Sequence, residues 1–192
     1  MARKTKLNRI EVTPILQEQL KNVCKIDQIK KVSIKENGGK FKYVPKWEDR
    51  LSEESLNFIF SKGNVLNITE DKNSFTFPKK YAVNIKPIVK TLFPEMFLHV
   101  TGHYYYPKTG YLGWHTNYAS PNDRVYVTYS TGNSFFRYYD GEKVVTDYDD
   151  CGFTIRRFSI LNKKPYFWHC VGSDCDRFSF GFKLKNGYKL KN

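Results

Sequence analysis

Two histidines set in aromatic runs, His115 in "GWHTN" and His169 in "YFWHCV", are the groups in this chain best suited to chemistry. Asn117 lies two residues after the first. In an extended chain residues two apart point to the same face, so His115 and Asn117 project together. Two imidazoles and a carboxylate make the facial set that holds non-haem Fe(II); here a neutral carboxamide stands where the carboxylate would be. Arg177 follows His169 by eight residues, with Ser179 two further on. If "VGSDC" joins His169 and Arg177 across neighbouring antiparallel strands, both face one cavity. A guanidinium there would grip a carboxylate bidentately beside the metal. That is the chemistry of an iron site served by a 2-oxo acid.

Asn117 is expected to coordinate directly or through water, with weaker hold on the metal than an anion gives. Asp123 in "SPND" and Asp174 after His169 are alternative sources of a carboxylate, but neither has the two-residue spacing that aims a ligand. His99 and His103 read as core or surface residues, His103 being close enough to line the pocket. Trp114 and Trp168 directly precede the two ligands, so on a strand they point away from the metal into core. Arg124 reads as a charge at a strand start, and the acidic run Asp147 to Asp150 as a solvated turn. Arg156, Arg157 or a lysine are the substitutes for Arg177 as acid anchor.

These residues must be positioned by strands. From Met96 onward "MFLHVTGHYYY", "RVYVTYST", "SFFRYYD", "KVVTDYD", "GFTIRRFSI", "YFWHCVG" and "RFSFGFKL" are short β-branched and aromatic runs, punctuated by "PKTG", "SPND", "DGE" and "NKKP". That spacing predicts a two-sheet sandwich or barrel. The preceding part is mixed. "TPILQEQLKNVC" has Thr13 as N-cap and Pro14 at the first helical position. "SEESLNFIFSKG" has Ser52 as N-cap and Gly63 as its stop. "NIKPIVKTLFP" predicts a short helix ended by Pro94. "NGG" between Val32 and Asp49 predicts a hairpin. The whole, 1–192, is expected to be a single domain: 1–95 a helical support on one outer face that also supplies substrate recognition, and 96–185 a β core holding the metal site.

The 192 residues carry 32 Lys and Arg against 19 Asp and Glu, a net charge of +13. The lysines are scattered, with one dense block in the tail "KLKNGYKLKN", so a solvated basic surface is favoured over a nucleic-acid groove. The four cysteines form no C-x-x-C pair and read as free thiols; a Cys170–Cys175 bridge across "VGSD" is the alternative. "MARKTKLNRIEV" has no apolar segment of signal-peptide type, and no apolar run of about 18 residues exists to cross a membrane. The expectation is a cytoplasmic protein, or one inside a host cell.

The segment from Met96 to Leu184 resembles the Fe(II)/2-oxoglutarate-dependent dioxygenase superfamily, in its prolyl-hydroxylase-like branch. The resemblance lies in "YYPKTGYLGWHTNYASPNDRVYVTYST" followed by "FSILNKKPYFWHCVGSDCDRFSFGF", through the order of Tyr106, His115, Arg124, His169 and Arg177. It implies a mainly β fold, a double-stranded β-helix or jelly roll, with the N-terminal α support outside it. It implies that His115 and His169 hold Fe(II), with Asn117 at the position where the family presents an anion, and that Arg177, with Ser179 and the Tyr106 hydroxyl, binds the distal carboxylate of 2-oxoglutarate. Molecular oxygen is then the second cosubstrate and the reaction a hydroxylation, the branch pointing to a peptidyl side chain of a protein or peptide. The basic surface leaves room for a nucleobase substrate. A jelly roll that has lost iron chemistry and binds protein, glycan or nucleic acid is the other reading, favoured by Asn117. Halogenation is disfavoured, because the Asn side chain fills the room a halide needs.

Overall fold

The computed structural model describes residues 6–38, 41, 43–63 and 71–186. The first part holds β1 (Asn8–Ile10), α1 (Pro14–Cys24), α2 (Ile26–Glu36), a 3-10 turn (Trp47–Leu51), α3 (Glu53–Ser61), β2 (Lys72–Asn73), β3 (Phe75–Thr76) and α4 (Lys80–Leu92). Eight strands follow: β4 (Met96–Tyr106), β5 (Gly110–His115), β6 (Asn122–Ser130), β7 (Ser134–Tyr139), β8 (Val144–Tyr148), β9 (Gly152–Ile160), β10 (His169–Ser173) and β11 (Arg177–Asn186). No helix among the described residues is long and apolar enough to cross a membrane. The last residues of the basic tail, 187–192, lie outside the described residues.

The strands form two antiparallel sheets, ordered β1-β9-β6-β11-β4-β3 and β2-β5-β10-β7-β8. From β4 onward the pairing is nested. β4 pairs with β11, β5 with β10, β6 with β9, and β7 with β8 at the fold-over. The protein is therefore mainly β, with two antiparallel sheets and four helices, in an order compatible with a jelly roll.

Period-two alternation explains how one strand serves both core and site. On β11, Phe178, Phe180, Phe182 and Leu184 are buried in the cluster shared with the helices. The alternate residues Ser179, Gly181 and Lys183 line the cavity between the sheets. Burying each of those apolar side chains contributes roughly 1.5–3 kcal/mol, which locks the register and with it the cavity face.

The helices form where caps and apolar spacing agree. Thr13 Oγ1 accepts from Leu16 N at 3.2 Å, and Leu16, Leu20 and Cys24 then recur at four-residue intervals on the buried face of α1. Ser52 Oγ accepts from Ser55 N at 3.1 Å and opens α3. α4 begins at Lys80, four residues before the expected start, because Tyr81, Ala82, Ile85 and Val89 continue one buried stripe; Pro87 sits within it.

Two expectations are corrected. The hairpin between Val32 and Asp49 does not form among the described residues. α2 runs through Glu36, its Ile29 and Ser33 on the buried side, and Asn37 ends it by donating to Ser33 O and Thr76 O. "VSIKE" alternates, but it also carries helical spacing, and packing of Ile29 decides. The helical support also covers both outer faces rather than one. α1, α2 and α4 pack on the six-stranded sheet, while the 3-10 turn and α3 place Trp47, Leu51, Leu56 and Ile59 against Tyr111, Trp114, Phe135 and Trp168 of the other. All four cysteines are free thiols, so Cys170 and Cys175 are not bridged.

Candidate active site

His115 is the last residue of β5 and His169 the first of β10, and the two are direct partners in the register of that pair. Their ring centroids lie 4.1 Å apart. His115 Nδ1 donates to Gly113 O at 2.8 Å and His169 Nδ1 to Phe167 O at 2.9 Å. Each bond spans two residues of the same chain, so the backbone itself sets the tautomer and leaves Nε2 as the lone-pair nitrogen. That is how imidazoles are oriented for a metal. Both rings are buried, and His169 is walled by Phe136, Phe158 and Phe167, with centroids at 5.3, 5.7 and 5.2 Å. Burial lowers the His115 pKa to about 4 and, with the neighbouring His115, holds His169 well below the ordinary value. Both imidazoles are neutral at physiological pH.

Asn117 reaches the pair by a route other than strand spacing. β5 stops at His115, and Asn117 has left-handed backbone, φ 55°. Asn tolerates that region better than most residues. The turn, held by Ser120 N donating to Asn117 O at 2.9 Å, brings the carboxamide back so that Nδ2 donates to His169 Nε2 at 3.2 Å. Rotation about χ2 exchanges Nδ2 for Oδ1 at this position. The three residues are therefore together.

Among the described residues no carboxylate joins them. Asp123 binds Arg157 Nη2 at 2.8 Å and Ser159 Oγ at 2.5 Å. Asp174 lies beyond the far end of β10 from His169 and pairs loosely with Lys108 at 3.8 Å. Among the described residues there is no group of three or more His, Cys, Asp or Glu that could hold a metal ion. Asp123 and Asp174 are thereby removed as sources of the missing anion.

Beyond the end of β10 away from His169, the two sheets are joined by an ion network. Arg177, fully buried, gives Nε to Asp149 Oδ2 at 2.8 Å and Nη2 to Thr128 Oγ1 at 3.3 Å, and lies over the Tyr106 ring at 5.2 Å. Arg156 also pairs with Asp149, and with Asp147 at 2.5 Å. The acidic run leads from β8 into β9 with Tyr148 and Asp150 exposed, but the Asp149 side chain has no solvent exposure and is a buried counter-ion rather than a solvated charge. Burial pushes the Asp149 carboxyl up, but Arg177 and Arg156 more than offset this and hold it below the usual carboxylate range. Arg177 Nη1 is buried without a partner among the described residues. Tyr106 and Ser179 line the cavity above; burial pushes the Tyr106 hydroxyl up, so it remains a donor.

The cavity that these elements enclose measures about 480 Å³. Its lining includes His115, Asn117, His169, Tyr106, Ser179 and Arg124. Arg124 does stand near the start of β6, but it is buried in the cavity wall rather than a surface charge, and its Nη2 donates to Ser120 O at 2.6 Å. The signal for this was present on β6: Val125 and Val127 take the apolar face, so Arg124, Tyr126 and Thr128 must share the other. Trp114 and Trp168 are core, as expected, Trp114 Nε1 donating to Ser52 O at 3.0 Å. His99 lines the cavity, whereas His103 packs on Phe77 outside it.

No family model matches this chain, and comparison with curated proteins finds no match. Among solved structures it is similar to an oxidoreductase of the 2OG-Fe(II) oxygenase family from Burkholderia pseudomallei, at 13% identity and a TM-score of 0.42. That match covers 90% of this chain and 94% of the other.

Proposed function

We propose that the chain is an Fe(II)- and 2-oxoglutarate-dependent oxygenase built on a double-stranded β-helix. The observation that carries this reading is the His115–His169 pair. These register partners on β5 and β10 each have Nδ1 tied to a backbone carbonyl two residues upstream, which leaves Nε2 as the lone-pair nitrogen, in His169 facing the Asn117 carboxamide. The donor set suits a divalent transition metal that prefers imidazole. His115 and His169 would hold it through Nε2, and Asn117 through Oδ1 once its amide has turned. When bound, the metal together with the 2-oxo acid supplies the oxidising power for attack on a C–H bond.

The chain's own residues bind, orient and exclude water. The Tyr106 and Ser179 hydroxyls, which line the cavity, and the Arg177 Nη1 behind them, which is buried outside its lining, would be the donors for the distal carboxylate of 2-oxoglutarate. Phe136, Phe158 and Phe167 pack around His169 and keep water from its ring. The neutral imidazoles need lose no proton before they ligate. For the oxidised group, a peptidyl side chain is the class that the sequence resemblance implies, in a protein or peptide substrate.

A second reading, a binding module without turnover, has two observations in its favour. Asn117 brings no negative charge to the metal, and Asp149 already balances Arg177. Anaerobic calorimetry of Fe(II) with the full chain separates the two. The oxygenase reading expects one Fe(II) per chain, abolished in His115→Ala, and tighter 2-oxoglutarate binding when the metal is present. Absence of metal binding in the folded wild type supports the binding module.

A further inference from the structure

We propose that the mouth of the cavity is a receptor for an oxyanion, a carboxylate or phosphate, centred on Arg124, and that this group belongs to the substrate. The anion site stands on its own observations; its assignment to a substrate rests on the oxygenase reading.

Arg124 is 4% exposed, and its Nε is buried with no hydrogen-bond partner among the described residues. Lys183 is its partner across the β6–β11 register, and the Lys183 ammonium reaches Ser120 Oγ at 3.2 Å. Lys72 and Lys185 also line this cavity. Four cations therefore line it, and none of its described lining residues is Asp or Glu. Asp123 is next to Arg124 in sequence, but alternation turns it to the other face, where Arg157 and Ser159 hold it.

The other two deeply buried arginines show what the chain does when it needs to neutralise one. Arg156 and Arg177 share Asp149, and Arg156 has Asp147 as well. Arg124 has no acidic partner among the described residues. A guanidinium does not lose its proton, so a buried one needs an anion, and here that anion must come from outside. The planar fork around Nε matches the two oxygens of a carboxylate or phosphate. Lys183 supports the same conclusion: desolvation, then the charges of Arg124 and Lys185, lower its pKa, a repulsion that a bound anion relieves.

This is not the Arg177 site. In the β6–β11 ladder Arg177 pairs with Ser130 and Arg124 with Lys183, six residues along β11. That is roughly 20 Å of strand. Among the described residues there are thus two separated buried guanidiniums with an unpartnered N–H, one at the Arg177 end and one at the mouth. Arg124 is the one that lines the same cavity as His115 and His169. A substrate held there by its acid group presents the adjoining carbon toward the histidine pair.

The test uses the full chain without metal or 2-oxoglutarate. Arginine Nε–H resonances are followed by NMR during separate titrations with inorganic phosphate and acetate at constant ionic strength. The resonance missing from the Arg124→Gln spectrum should shift saturably, and the anion that saturates it at lower concentration names the chemistry. Arg124→Gln should weaken binding tenfold or more, and Lys183→Gln about threefold. Arg124→Lys, which keeps the charge and loses Nε, should weaken it about threefold and serves if the Gln variant does not fold. A non-saturating response to both anions, or unchanged affinity in the Arg124 variants, overturns the site. Saturable binding in a protein that neither binds Fe(II) nor turns over 2-oxoglutarate overturns the assignment to a substrate instead, so the two failures are distinct.

Discussion

Replacing Asp149 by Asn tests whether the Arg177 end of the two sheets is held by charge. The substitution keeps the shape and removes the anion. Wild-type Asp149 accepts from Arg177 Nε at 2.8 Å, from Ser134 Oγ at 2.5 Å and from Arg156 Nη1. Arg156 would keep Asp147 at 2.5 Å, but Arg177 would lose its only anionic partner among the described residues and keep only Thr128 Oγ1. Breaking a buried pair by removing one partner costs about 3–5 kcal/mol, because the remaining charge is left uncompensated. For a chain of this size that lowers Tm by roughly 10 °C. Urea unfolding at pH 7 should show a lower midpoint with an unchanged slope. The sign with pH follows from the depressed Asp149 pKa. Its contribution is present above the unfolded carboxylate pKa and is lost as pH falls through the folded one. The wild-type advantage over Asp149→Asn should therefore be undiminished at pH 5 and shrink only in stronger acid. Adding Arg177→Met should recover part of the loss, since an apolar replacement removes the stranded charge. A loss below about 1 kcal/mol, or an advantage already gone at pH 5, would refute the argument.

Asn117→Asp should tighten Fe(II) binding by roughly tenfold or more, about 1.4 kcal/mol, in anaerobic titration; unchanged affinity would remove Asn117 from the metal set. In the metal-free protein the His115 pKa of about 4 lies below its ordinary 6.5, so the unfolded chain binds more protons between those values. Stability should fall as pH drops from about 6.5 to about 4, and His115→Gln should flatten that slope in urea midpoints measured across the range. Gly172→Ala should destabilise by about 1–3 kcal/mol. A Cβ there would come within 2.9 Å of Leu51 Cδ1 and 2.5 Å of Trp47, and against Phe135 as well; a wild-type urea midpoint would show that these rings yield freely.

Much of the β core could be read from the sequence, because alternation of large apolar residues against small or polar ones survives in single strands. "MFLHVTGHYYY" and "GFTIRRFSI" begin and end where β4 and β9 do. The "YFWHCVG" run starts three residues before β10, since Phe167 and Trp168 are buried in the two apolar clusters flanking that strand without belonging to its ladder. Local pattern failed where tertiary packing decides. "VSIKE" fits strand and helix alike, and the burial of Ile29 made it helix. His115 and His169 were legible as a pair because each follows a Trp that must point into core. Asn117 was legible as a neighbour for the wrong reason, its approach coming from a left-handed turn rather than from extended chain. Asp149 was missed because an acid in a polar run looks solvated; only the inward face of Arg156 and Arg177, brought there by two other strands, makes it a buried counter-ion.

The central claim is that His115, Asn117 and His169 hold iron beside a bound 2-oxo acid. Its most direct test is succinate released from 2-oxoglutarate under air, with Fe(II) added to the metal-free full chain. The wild type should release succinate even without substrate, uncoupled and slowly, and His169→Ala should reduce this to the rate of free iron. Succinate release that is equal in the wild type, His169→Ala and protein-free controls would contradict the account.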